Sequence, residues 1–206
     1  VHCHGSKANV MISVIKESLK IPVITTMHSD YRLDYMGSLL KRLTFGVFNT
    51  VALRLLDGYI GVTNAFADLL VERGFDPYEI YTLNNGIEFT EHSPAICRAS
   101  YREKLGIDNP DAVVCAIAAR FHPVKDIATA LRAVAILRDS YPNLYLVLGG
   151  DGEEEENLRT LARELNIQDR VIFAGWIDDM DSFLNAVDIS VISSVSEGFP
   201  YSTLES

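Results

Sequence analysis

Short runs rich in β-branched and aromatic residues alternate along this chain with longer runs whose apolar residues recur every three or four positions. No other feature constrains the fold as strongly. Strand, helix and strand of one sheet make a right-handed crossover, and successive crossovers build a parallel sheet covered on both faces. The strand-like runs of the first part are 21–27, 58–63 and 79–85, and the chain opens inside another, VHCHGS. Between them, 8–20, 36–56 and 65–74 have helical spacing. Asn64 is the expected cap of the last of these, and Gly74 its stop. In the second part, AVVCAIAA (112–119) is almost continuously apolar, as a strand buried on both faces must be. Strands at LYLVLGG, RVIFAGW and DISVISS follow, with helices at DIATALRAVAILRDSY, EEEENLRTLARELNI and MDSFLNAV between them. The glutamates opening the second of these helices have the sign that a helix amino terminus favours.

The rhythm breaks once. NNGIEFTEHSPAICRASYREKLGIDNPDA carries turn formers and one short helix but no strand, so Gly86 to about Ser93 reads as a linker. The expected division is 1–88 and 89–206. With 206 residues, 48% of them hydrophobic, the chain can bury a core in each part. A net charge of −10 argues against nucleic acid as a partner, since that affinity comes from cations on phosphates. No apolar run reaches the roughly 18 residues of a membrane span. The cysteines, Cys3, Cys97 and Cys115, are scattered and odd in number, which gives no disulfide framework and suits a reducing compartment. Alternation puts His2 and His4 on one strand face, but no second cluster supplies further ligands, so no metal is expected.

Parallel sheets bind ligands beyond the carboxyl ends of their strands. The segments that follow the strands of the second part are RFHPVK, GGDGEE, AGW and SVSEGFPYSTLE, and all should open on one edge. Arg120 and Lys125 then meet a Gly-rich turn and a helix start, a cradle for a diphosphate. No Gly-Lys-Ser/Thr loop of the triphosphate kind is present. Glu205, expected a little over one turn into a helix begun near Pro200, can accept a vicinal diol such as ribose. Glu197, ahead of the Gly-Phe-Pro turn, lies nearer whatever the diphosphate carries. Together these residues describe a site for a nucleotide-diphosphate-sugar.

SEGFPYSTLE, with RFHPVK, LGGDGEEEENL, VIFAGW and YTLNNGI ahead of it, resembles the carboxyl-terminal half of the retaining glycosyltransferases of family 4, which have the GT-B fold. VHCHGSKA and TTMHSDYR resemble their amino-terminal, acceptor-side domain. The resemblance implies an α/β protein of two Rossmann-like parallel-sheet domains, both incomplete in this chain. It implies a hexosyltransferase-type enzyme moving a sugar from a nucleotide-sugar donor to a hydroxyl of a carbohydrate or lipid-linked acceptor, with retention, in cell-surface polysaccharide or glycolipid synthesis. It assigns catalytic roles to His28, Arg120, Lys125 and Glu197. It assigns donor binding to Gly150, Ala174, Gly175, Gly198, Phe199, Ser202, Thr203 and Glu205, and the interdomain or acceptor side to Gly5, Asn85 and Gly86. Arg120 and Lys125 stabilise the departing diphosphate, so no metal or other cofactor is implied.

The usual glycine before the arginine is Ala119 here, and neither the Gly-rich first loop of the family nor its last helix is in the sequence. The chain therefore reads as an internal segment of a longer enzyme, with its own activity an open question. The family implies a cytoplasmic protein, in many cases peripheral to the membrane. LLKRLTFGVFNTVALRLL could supply a basic amphipathic surface helix, but its apolar residues are expected to be core. Two further readings stay open: a nucleotide-sugar-binding module without turnover, and a GT-B-type epimerase acting on the same donors.

Overall fold

The computed structural model describes residues 1–33, 36, 39–87 and 94–205. The chain divides into two compact units, Val1–Gly86 with Ser196–Tyr201, and Ile87–Val195 with the residues from Ser202 onward. The expected boundary at residue 88 and most of the linker lie outside the described residues.

The first unit runs β1 (His2–His4), α1 (Ser6–Leu19), β2 (Ile24–Met27), α2 (Leu39–Lys41), a π-helical turn (Arg42–Gly46), α3 (Val47–Leu53), β3 (Gly58–Gly61), α4 (Asn64–Glu72) and β4 (Ile80–Thr82). Its four strands are parallel in the order β1-β2-β3-β4, with Thr26 level with His4 on one side and Ile60 on the other. Val23, Leu53, Tyr59 and Leu70 are almost fully buried and centre the core. A polar layer runs through it: the Thr25 hydroxyl donates to Asn9 Oδ1 at 2.8 Å, and Asn9 Nδ2 donates to Asn49 Oδ1 at 3.5 Å.

Two expectations are corrected here. The α4 cap is Thr63, whose Oγ1 accepts from the Phe66 amide at 3.2 Å, one residue before the expected Asn64. An extended Thr63 keeps its oxygen in reach of that amide, whereas Asn64 is already helical. The apolar residues of 39–56 are not mainly core either. Leu39, Leu40, Leu43, Phe45, Phe48 and Val51 are each more than half exposed, while Asn49, Ala52 and Leu53 turn inward. The Thr44 and Thr50 hydroxyls donate back to the Leu40 and Gly46 carbonyls at 2.8 Å each, and the intervening π turn changes which side chains share a face.

The second unit runs α5 (Arg98–Lys104), β5 (Val113–Ala118), α6 (Ile127–Leu137), β6 (Leu144–Gly149), α7 (Glu155–Glu164), β7 (Val171–Gly175), α8 (Met180–Ala186) and β8 (Ile189–Ser190). Only two residues of the expected last strand pair. The sheet is parallel in the order β7-β6-β5-β8, so strand order reverses between β5 and β8. Ile117, Leu131, Leu146 and Leu148 belong to one buried layer; Val114, Val147, Phe183 and Ala186 to another. A short helix, α9 (Tyr201–Leu204), follows.

Asp188 locks α5 to this sheet. Its carboxylate accepts from the Val114 amide at 2.8 Å, from Arg102 Nη2 at 2.6 Å and from Arg98, and Arg102 also reaches the Ala186 and Ala112 carbonyls. Burial raises the Asp188 pKa, but the Val114 amide and the two arginines outweigh it and hold the group below the usual carboxylate value. The sign follows directly. A depressed folded pKa stabilises the protein above the unfolded value of about 4, and that contribution disappears as the pH falls through the folded value. Asp188→Ala should cost about 3 kcal/mol at pH 7, since Arg102 is left buried without its counter-charge, and it should flatten the acid limb of a urea-derived stability profile. An unchanged acid limb would show that Asp188 is not the linked group.

Candidate functional site

On the second unit, three strand ends are joined backbone to backbone. The Phe121 amide donates to the Asp151 carbonyl at 2.6 Å, Ala119 to Gly149 at 3.0 Å, and Gly150 to Gly175 at 2.7 Å. Gly150 is required at this crossing: φ is +126°, and a Cβ there would lie 2.2 Å from the Ala119 carbonyl oxygen. A cavity of about 290 Å³ opens beside it, with Ala119, Arg120, Gly150, Trp176, Ile177 and Met180 among its walls. Arg120 is exposed at this edge. Lys125 closes the turn Pro123–Lys125, capped by His122 Nδ1, which accepts from the Val124 amide at 3.3 Å. The Lys125 carbonyl accepts from Ser193 Oγ at 2.8 Å, and the Val124 carbonyl from the Val195 amide at 2.9 Å. The loops after β5 and β8 are thus tied together where strand order reverses, the crevice in which parallel sheets bind ligands. Ala174 and Gly175 end β7.

On the first unit, histidines cluster at the sheet edge. His2 and His4 point outward from β1 with Cys3 buried between them, as the alternation required. His28, just past β2, has Nε2 3.0 Å from His4 Nδ1, and His2 Nε2 lies 2.7 Å from Thr26 Oγ1. Burial and the neighbouring His4 and His2 lower the His28 pKa, so the ring is neutral near pH 7. Among the described residues no group of three or more His, Cys, Asp or Glu is arranged to hold a metal ion. Gly5 turns the chain from β1 into α1 at φ +82°.

The segment Ser196–Tyr201 belongs to this unit. A Cβ on Gly198 would lie 2.7 Å from the His28 carbonyl oxygen and 2.7 Å from the Phe66 ring, so only glycine fits against β2 and α4. Asn85 Nδ2 donates to the Phe199 carbonyl at 2.7 Å. The expected residues therefore fall into two groups: His28, Asn85, Gly198 and Phe199 with half-buried Glu197 on the first unit, and Arg120, Lys125, Gly150, Ala174 and Gly175 on the second. Gly86 is exposed at the end of the first group's unit. Ser202 and Thr203 lie in α9. Glu205 follows the last helical residue, a correction to its expected place inside a helix. Sequence reasoning missed Trp176, Ile177 and Met180, whose proximity to Gly150 depends on the parallel register, and the buried Asn9 and Asn49, whose partners lie on other elements.

Two family profiles match the chain. The profile described as Glycosyl transferases group 1 matches residues 98–206, and that described as Glycosyltransferase Family 4 matches residues 1–91. The chain belongs to the group 1 glycosyl transferases, and its two parallel α/β units have the GT-B fold.

Among curated relatives, the chain is 31% identical over 208 residues to the alpha-monoglucosyldiacylglycerol synthase of Streptococcus pneumoniae, covering 93% of this chain and 45% of that one. It is 25% identical over 211 residues to the Escherichia coli UDP-Gal:alpha-D-GlcNAc-diphosphoundecaprenol alpha-1,3-galactosyltransferase, covering 100% of this chain and 54% of that one. The chain thus spans about half the length of these relatives. Among solved structures, Anabaena HepE in complex with UDP and glucose matches at TM-score 0.79 and 21% identity, over 99% of this chain and 56% of that one. The sucrose-phosphate synthase of Thermosynechococcus elongatus matches at 0.76 and 20%, over 99% and 52%.

Proposed function

We propose that the full-length protein is a retaining, metal-independent hexosyltransferase. It takes a nucleotide-diphosphate-sugar as donor and a hydroxyl of a carbohydrate or lipid-linked molecule as acceptor. The observation that carries this reading is the cavity of about 290 Å³ at the ends of β5, β6 and β7, lined by Arg120 and by a largely apolar wall containing Trp176. A flat base suits such a wall, and a diphosphate suits Arg120 and Lys125. In this reading the two cations stabilise negative charge on the departing nucleoside diphosphate, the part a divalent ion plays elsewhere. Glu205 holds the ribose diol, Glu197 faces the donor sugar, and Gly198, Phe199, Ser202 and Thr203 bring backbone amides to sugar and phosphates. His28, neutral near pH 7, stands at the reacting end on the acceptor side with Gly5, Asn85 and Gly86.

The names of the relatives, one containing a UDP-sugar and a diphosphoundecaprenol and another a diacylglycerol, support a nucleotide-sugar donor and a lipid-linked acceptor. No helix among the described residues is long and apolar enough to cross a membrane. The exposed Leu39, Leu40, Leu43 and Phe48, beside Lys41 and Arg42, support peripheral contact with an anionic membrane from the cytoplasmic side. A role in cell-surface polysaccharide or glycolipid synthesis fits that placement.

The test is to incubate the full-length protein with a panel of nucleotide-sugars and measure nucleoside diphosphate release with and without acceptor extracts. Release with at least one donor is expected. Donor binding without release would leave a binding module, and an epimeric donor formed without acceptor would mark an epimerase. Glu205→Ala should weaken donor affinity about 10-fold or more through the lost ribose contact, as read by calorimetry. Unchanged affinity would remove Glu205 from the donor site.

A further inference from the structure

Beside the histidine cluster, at the head of α1, lies a recess of about 50 Å³ whose walls include Gly5, Ser6, Thr26, His28, Tyr31 and Asn49. A buried polar atom at this recess has no hydrogen-bond partner among the described residues: Asn49 Nδ2, on a residue only 1% exposed. The Arg73 guanidinium stands 4.8 Å above the Tyr31 ring. A buried donor left without an acceptor is costly, so an unmatched one at an opening points to a ligand.

The direction of the hydrogen bonds fixes what that ligand must offer. The Thr25 hydroxyl lies 2.8 Å from Asn9 Oδ1 and 3.3 Å from the Cys3 carbonyl, and its single proton favours the shorter contact. Asn9 Nδ2 is thereby turned toward Asn49 Oδ1, 3.5 Å away. Rotating the Asn49 amide alone would set two NH₂ groups against each other, and rotating Asn9 with it would send the Thr25 proton to the longer 3.3 Å contact with the Cys3 carbonyl. The polar chain from β2 through α1 to α3 therefore ends in a donor, and whatever enters the recess must accept. The charge environment agrees. The first turn of the 14-residue α1 contains no acidic side chain, and its cap, Gly5, has none to satisfy the leading amides. The nearby Asp30 is neutralised by Arg73 through two bonds of 2.7 and 2.5 Å.

We propose that this recess binds a small oxyanion, a phosphate or carboxylate group carried by the acceptor, held by the Asn49 amide and the first turn of α1. The acceptor part of this inference rests on reading the first unit as the acceptor side; the anion site itself stands on the geometry.

The probe is inorganic phosphate, titrated against chloride at fixed ionic strength into the ¹⁵N-labelled 206-residue chain. Saturable shifts are expected at the amides of Lys7 and Ala8 and at the Asn49 side-chain amide. Asn49→Asp, which puts a carboxylate in the same shape, should weaken phosphate binding at least about 10-fold. If that variant fails to fold, the wild-type shift map still decides. Shifts confined to surface lysines elsewhere, or no saturation, would overturn the site. Glycerol producing the same saturable shifts while phosphate does not would overturn the oxyanion in favour of a neutral hydroxyl. Diphosphate release by the full-length protein is measured separately. Release without phosphate shifts defeats this inference alone, whereas phosphate shifts without release defeat the transferase reading alone.

Discussion

Lys125→Ala in the full-length protein is expected to lower turnover about 100-fold while weakening donor binding by less than about 10-fold. The asymmetry follows from when the charge appears. In the ground state the diphosphate is esterified at both ends and other donors share its charge. As the glycosidic bond breaks, one more negative charge develops on the leaving oxygen, and an ammonium aimed there gains most. The backbone turn holding Lys125 is anchored by its carbonyl to Ser193 Oγ at 2.8 Å, and the preceding Val124 carbonyl is anchored to the Val195 amide. Truncating the side chain should therefore leave the loop in place. Single-turnover release of nucleoside diphosphate, set beside calorimetric donor affinity, separates the two quantities. Equal losses in both would mean that Lys125 binds donor and transition state alike, and would remove it from the chemistry.

Gly150→Ala should destabilise the second unit by about 3 kcal/mol or more. The new Cβ would lie 2.2 Å from the Ala119 carbonyl oxygen, and φ of +126° is a conformation that alanine rarely adopts. Neither neighbour can yield easily. Ala119 is bonded to Gly149, and Gly150 to Gly175, so relief would part the ends of three strands. For cooperative unfolding of the whole 206-residue chain that loss corresponds to a fall of about 6–12 °C in its melting temperature. Thermal unfolding followed by circular dichroism measures it. A fall of less than about 2 °C would show that the loop has slack, and the packed backbone crossing would lose its structural role. Because the same crossing forms the floor of the cavity beside Arg120, surviving protein should also bind donor more weakly.

Much of the fold was legible because it is written in local periodicity. The apolar run at 112–119 had to be a doubly covered strand, and it is β5, the strand between β6 and β8. The alternation at His2, Cys3 and His4 gave the inward cysteine directly. Arg120 and Lys125 could be named from the rule that parallel sheets open their ligand edge at the carboxyl ends, whereas Gly150 and Gly175 were named from the family resemblance; the segments that follow β5, β6 and β7 are joined at that edge. Helix caps were less legible, since Thr63 and Asn64 are both good capping residues and only the backbone angle chooses between them. The apolar face of 39–56 was misjudged because its spacing is read at one helical pitch, whereas a π turn at Arg42–Gly46 changes that pitch partway.

The sequence by itself determined two parallel α/β units and which residues follow each strand, because strand and helix periods and the residues after each strand are properties of neighbours along the chain. Tertiary structure alone decided that Ser196–Tyr201 packs with the first unit, so that Gly198 lies against His28. It also decided that Thr25, Asn9 and Asn49 line up to present one unmatched donor. Those contacts join residues far apart in the chain, and a hydrogen bond's direction depends on where both partners are finally placed.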